Sequence, residues 1–160
     1  MQRTTAVHRM LVSTLLAAGL LAAGPAQADL GGSSSSASAP PPIEKAMDAL
    51  KDENYKKATR YLKRHLKKNP DDADALNMMG YSLRKLEDFE DSEEYYLRAL
   101  EIEPEHLGAN EYLGELYLQT GRPELARERL AVLEKACPDS CAERKDLDDA
   151  LARYTSSNGP

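Results

Sequence analysis

The chain has 160 residues, of which 41% are apolar and 30% charged, and its formal charge is −6. It holds two cysteines and three histidines. It has no Ser/His/Asp or Cys/His constellation, no glycine-rich phosphate loop and no metal-spaced histidine pair, which leaves no basis for an enzyme or a cofactor site; an acidic solvated surface accounts for its many carboxylates.

Residues 1–28 read as a secretory signal peptide. Arg3, His8 and Arg9 make a positive start, Met10 to Gly24 is an uncharged apolar run of fifteen residues, and Pro25-Ala26-Gln27-Ala28 is a small-x-small cleavage site. The run is shorter than the roughly 18–20 residues of a spanning helix. Cleavage is expected after Ala28, and no cysteine follows to carry a lipid. The expected location is therefore periplasmic or secreted, where nucleic acid is not a partner and thiols meet an oxidising environment. The remaining chain carries nineteen basic and twenty-seven acidic residues and suits one domain. Residues 29–41 are rich in Gly, Ser and Pro and form a linker, flexible and then stiff.

From residue 42 the apolar pattern becomes helical. Pro42 suits the first position of a helix, where its missing N–H is no loss. A second helix, Asn54 to Lys68, turns Ala58, Leu62, His65 and Leu66 inward, with His65 packed. Its outer face is basic, with Lys56, Arg60, Lys63 and Lys67 along one strip. Residues 42–70 hold nine basic and four acidic residues, against ten and twenty-two in residues 71–160. That strip is either a solvated face or a docking surface for an anionic envelope lipid or polysaccharide.

Residues 71–104 are the best-formed stretch. Leu76, Met79, Gly80 and Leu83 make one helical stripe, and Ser92, Tyr95, Tyr96, Ala99 and Leu100 make another, with a polar break around Glu87-Asp88. Neither helix buries its stripe alone. Proline recurs at Pro70, Pro104 and Pro138, a period of thirty-four residues. Under that shift Gly80 falls on Gly114 and Ala46, Leu83 on Tyr117 and Ala49, Ser92 on Ala126 and Ala58, and Tyr96 on Leu130 and Leu62. Small residues thus recur where the two helices of a hairpin approach closely. In the third stretch, 105–138, Gly121-Arg122-Pro123 makes the turn. Leu125, Ala126, Leu130 and Leu133 form the last buried stripe.

This pattern of Leu113-Gly114, Tyr117, Ala126 and Pro138 resembles the tetratricopeptide repeat, over about residues 40–138. The first repeat departs from it, with three prolines at its opening and Ala46 for glycine. The resemblance implies an all-α fold, a short right-handed α-solenoid of three hairpins (about 42–70, 71–104 and 105–138). An amphipathic helix over 141–154, with Leu147, Ala150, Leu151 and Tyr154 inward, would cap the array; 155–160 would be a frayed tail.

The resemblance also implies a groove lined by the first helix of each hairpin, where a protein or peptide docks. The candidates are Ile43, Met47 and Leu50, then Asn77, Tyr81, Arg84 and Lys85, then Glu111, Glu115 and Leu118. Some relatives grip an acidic C-terminus with paired Lys, Asn and Arg residues, of which only Asn77 survives here, so a chaperone-type acidic tail is not the expected ligand. An apolar and acidic groove suits a partner with apolar anchors and basic flanks. The function implied is a non-enzymatic exported scaffold, with a place in envelope assembly.

Cys137 and Cys141 lie at the junction between the last repeat and the cap. Four residues across a helix break can bring two Cα atoms to the roughly 4.4–6.8 Å that a disulfide needs, which would fix the angle of the cap. The alternatives are a Cu(I) site, for which paired thiolates suit a soft metal and His106 is the nearest histidine, and a thiol-redox carrier.

Overall fold

The computed structural model describes residues 41–159. The expected signal peptide and nearly all of the expected linker lie outside the described residues. Seven helices follow one another: α1 Pro42–Lys51, α2 Tyr55–Leu66, α3 Ala73–Lys85, α4 Phe89–Ile102, α5 Leu107–Gln119, α6 Pro123–Ala136 and α7 Ala142–Asn158. No described residue is in a strand.

Local chemistry sets the helix starts. Pro42 and Pro123 occupy first-turn positions of α1 and α6. Asn54 caps α2 by accepting from the Lys57 N–H at 3.1 Å, and Asp72 caps α3 by accepting from the Ala75 N–H at 2.9 Å. His106 caps α5 with an imidazole, its Nδ1 accepting from the Ala109 N–H at 3.2 Å. The ring proton therefore sits on Nε2, which faces Asp74 Oδ1 at 3.1 Å.

The turns inside the hairpins repeat with the period of the sequence. Glu53, Glu87 and Gly121 have φ of 54°, 63° and 73°. Each ends its helix in the same way. The next residue's N–H bonds back five residues (Asn54 to Ala49 O, Asp88 to Leu83 O, Arg122 to Tyr117 O) at 2.8, 3.0 and 2.7 Å. The left-handed residue's own N–H bonds back three (Leu50 O, Arg84 O, Leu118 O). This is the Schellman arrangement, used three times.

Packing follows. One buried cluster joins Ala46, Ala49, Ala58, Leu62, Ala75 and Met79, and a larger one runs from Leu76 and Tyr96 through Leu113 and Leu116 to Leu147 and Leu151. Leu66 and Tyr95 touch both. Within the second hairpin, Gly80 lets α3 lie against the ring of Tyr96; a Cβ there would meet the ring at 2.7 Å. Ser92 donates to the Gly80 carbonyl at 2.8 Å, which closes the contact. Gly114 also lies against a later helix of the chain. A Cβ on it would meet Leu147 Cδ2 at 2.6 Å, so it admits α7.

One expectation is corrected at the margins. α7 runs on to Asn158 instead of fraying after 154. Nothing stops it: Thr155, Ser156 and Asn158 fold their side chains back onto the Leu151, Arg153 and Tyr154 carbonyls, and the first break is Gly159 with φ 75°. His65 is packed as expected, its side chain 14% exposed and its Nε2 facing Asp72 Oδ2 at 2.7 Å. Among the described residues no helix is long and apolar enough to cross a membrane.

Candidate functional site

The helices that open each hairpin, α3 and α5, share one face with α7. A row of tyrosines crosses it. Tyr55, at the start of α2, meets Tyr81 of α3 edge-on at 6.0 Å between ring centroids, and Tyr81 meets Tyr112 of α5 at 5.0 Å. Tyr96 of α4 lies beneath, 6.4 Å from Tyr112. Burial raises the Tyr96 phenol above its ordinary range. It pushes Tyr112 up to about 12, helped by nearby Glu111. These rings stay neutral and act as apolar surface with polar tips.

Arg84 is locked into this row. Its guanidinium lies 5.7 Å from the centroids of both Tyr81 and Tyr112, and its Nη2 pairs with Glu115 Oε2 at 2.7 Å. Beyond it is a cleft of about 480 Å³, walled by Arg84 and Lys85 of α3, Glu115, Leu118 and Gln119 of α5, and Ala150, Arg153 and Tyr154 of α7.

The expected groove residues divide into two groups. Tyr81, Lys85 and Glu115 lie on this face, Tyr81 and Glu115 half-buried and Lys85 exposed. On α1, Ile43 and Leu50 are half-buried against the first core cluster, while Met47 is 46% exposed. Arg84 and Leu118 wall the cleft with 7% and 8% of their area exposed, whereas Asn77 and Glu111 are a correction: expected as open groove surface, they keep 9% and 7%. Neighbouring helices crowd them: Asn77 lies under Gly108 of α5, and Glu111 faces acids of α7.

The reading of Glu111 and Glu115 as free negative charge also changes. Glu115 is neutralised by Arg84. Burial first, and then Glu115, Asp146 and Glu143, push Glu111 up to about 8 against the pull of Arg84, so its carboxyl is mostly protonated at neutral pH. Among the described residues Asn77 Oδ1 and Arg84 Nε are buried without hydrogen-bond partners.

Sequence reasoning missed Tyr55, Tyr112, Gln119, Ala150, Arg153 and Tyr154 as parts of this face. The signal was present: carrying the thirty-four-residue shift past Pro138 sets Leu147 on Leu113, which makes α7 another opening helix and a groove wall.

The second expected surface is exposed as expected. Lys56, Arg60 and Lys63 face solvent on α2, and Lys67 does so at its C-cap. The cysteines cap facing helix ends, Cys137 after α6 and Cys141 before α7, with Cα atoms 6.0 Å apart and sulfurs at disulfide distance. Among the described residues no group of three or more His, Cys, Asp or Glu side chains is disposed to hold a metal ion.

Solved structures with the same fold include the Arabidopsis OM64 TPR domain (TM-score 0.65, 19% identity, 72% of this chain and 92% of that one). The TPR2B domain of yeast Sti1, solved in a pHsp70 complex, aligns with TM-score 0.67 at 14% identity over 73% of this chain and 95% of that one. The Yersinia enterocolitica type III secretion translocator chaperone SycD gives 0.63 at 13% identity, over 72% and 87%. At such identities the likeness is one of fold. No curated protein matches the chain significantly. The tetratricopeptide repeat family profile matches twice, over residues 43–102 and 77–141. With the period in its prolines, its turns and its helix contacts, the chain belongs to the tetratricopeptide repeat family.

Proposed function

We propose that the protein is an exported, non-enzymatic scaffold that holds a protein or peptide partner across the face of α3, α5 and α7 in cell-envelope assembly. The observation that carries this reading is the tyrosine row Tyr55–Tyr81–Tyr112 leading into the cleft between α3, α5 and α7. Half-buried tyrosines beside a cleft are the residues and the shape that anchor partners. The exported, envelope part rests on the signal-like residues 1–28. A similar fold in the yeast domain was solved with pHsp70, in keeping with peptide docking.

The partner has apolar anchors for the tyrosines and basic flanks for the acidic repeats. The exposed strip Lys56, Arg60, Lys63 and Lys67 adds a peripheral contact with an anionic envelope surface. Crosslinking the captured native partner tests this. Tyr81→Ala should weaken capture by about 2 kcal/mol, the cost of losing a binding anchor. Reversing the four α2 charges should leave capture intact and weaken only retention on anionic vesicles. If charge reversal abolishes capture while Tyr81→Ala binds normally, the groove is not the interface.

A further inference from the structure

Residues 71–160 hold ten basic and twenty-two acidic residues, yet three of the basic ones meet at one place. Arg84 and Lys85 of α3 and Arg153 of α7 wall the cleft between α3, α5 and α7, against a single carboxylate, Glu115. That carboxylate is already committed to Arg84, at 2.7 Å. Among the described residues neither Lys85 nor Arg153 forms an ion pair, and Asp149, one turn before Arg153 on α7, is held by Lys145. Lys85 and Arg153 are exposed, on opposite walls of the cleft. Arg84 keeps only 7% of its surface, and its Nε is buried with no hydrogen-bond partner. An unmet donor on a buried cation is costly, and so is the mutual repulsion of like charges around one cleft. The cleft therefore carries an excess of positive charge that the protein's own groups leave uncompensated. Asn77, the residue shared with relatives that grip an acidic C-terminus, lies under Gly108 and is no part of this cleft.

We propose that the cleft takes the side-chain carboxylate of a glutamate in the partner, placed beside the apolar anchor that crosses the tyrosine row. The inference rests on the groove reading above and adds a specificity to it. The Lys85 ammonium lies 5.6 Å from the centroid of the Tyr81 ring, so a chain lying over that ring arrives at the rim of the cleft. The cations stand at two depths, Lys85 and Arg153 at the rim and Arg84 below them. A carboxylate on a side-chain stem reaches down from a backbone at the rim, its methylenes against Leu118 and Ala150. A chain-end carboxylate stands directly on the backbone and stays at the rim. In a site of about 480 Å³ walled partly by apolar side chains, such a charge pair is less screened than on an open surface.

The test titrates short peptides into isotope-labelled protein at low salt, following the backbone amides of Lys85, Gln119 and Arg153. The probes are acetyl-leucyl-leucyl-glutamate with its α-carboxyl amidated, the same peptide ending in glutamine amide, and the glutamine peptide with a free carboxyl end. The glutamate probe should bind about tenfold or more tighter than the glutamine amide, and added salt should narrow the gap. Lys85→Gln combined with Arg153→Gln, both on the exposed rim, should bring the two probes to within a few-fold of each other. Equal binding of the glutamate and glutamine amides in the parent protein overturns the proposal, as does a preference that survives the double variant. A free carboxyl end that binds as well as the glutamate side chain overturns it in favour of a chain terminus. If both amides bind equally and Tyr81→Ala weakens both, this inference falls and the groove reading stands. If no probe binds, this inference falls and the groove reading is decided by the partner crosslinks at Tyr81.

Discussion

Glu53, Glu87 and Gly121 hold the same left-handed backbone at the same place in three hairpins, yet only the third is glycine. A side chain in that conformation costs roughly 1 kcal/mol. Glu87→Gly should therefore stabilise the fold by about 0.5 kcal/mol, once the greater freedom of glycine in the unfolded chain is subtracted. Gly121→Ala should cost about 1 kcal/mol although open space surrounds it. Denaturant midpoints check both, and opposite signs at equivalent positions are the expected outcome. Glu111 makes a second argument at this scale. Its folded pKa of about 8 lies above the ordinary carboxylate value of 4.5. The stability this confers is complete below about pH 4.5 and is lost as pH rises through 8. Glu111→Gln should thus match the parent near pH 4.5 and exceed it by on the order of 4 kcal/mol at pH 8, read from melting curves across that range.

Between elements, the contact to watch is α5 against α7. Gly114→Leu places a side chain where Leu147, fully buried, already sits. Overpacking of this kind costs about 1–3 kcal/mol or more. The loss should appear as early exposure of α7 by hydrogen exchange, since a side chain at position 114 runs into Leu147 of that helix. Arg122 ties hairpins together elsewhere: it donates to both carboxylate oxygens of Glu93 at 3.0 and 2.8 Å and lies over Tyr117 at 4.6 Å. The hairpins themselves were legible from the chain, because a thirty-four-residue period in prolines and small residues is a one-dimensional signal. The burial of Asn77, Arg84 and Glu111 was not. It depends on how closely successive opening helices lean together, which is set by pairs far apart in sequence such as Arg84–Glu115 and Gly114–Leu147. Stopping the period at Pro138 hid the rest, since Glu143 and Asp146 occupy the positions that Ala109 and Tyr112 hold one repeat earlier.

Taken whole, the described residues share one continuous core, because Leu66 and Tyr95 bridge its two clusters. A short array joined in this way should unfold in a single step, with helical signal and tyrosine environment changing together and no metal required; separated transitions would divide the first hairpin from the rest. Charge is not shared so evenly. The first hairpin is basic and the remainder acidic, so an anionic surface would meet α2 first and leave the tyrosine face free. The Cys137–Cys141 link has a consequence of another kind. It closes a small ring around Pro138, Asp139 and Ser140, all exposed. A protease that cuts inside this ring does not release the cap. The nicked molecule keeps α7 tethered to α6 and migrates as one band on a non-reducing gel, and only added thiol divides it in two.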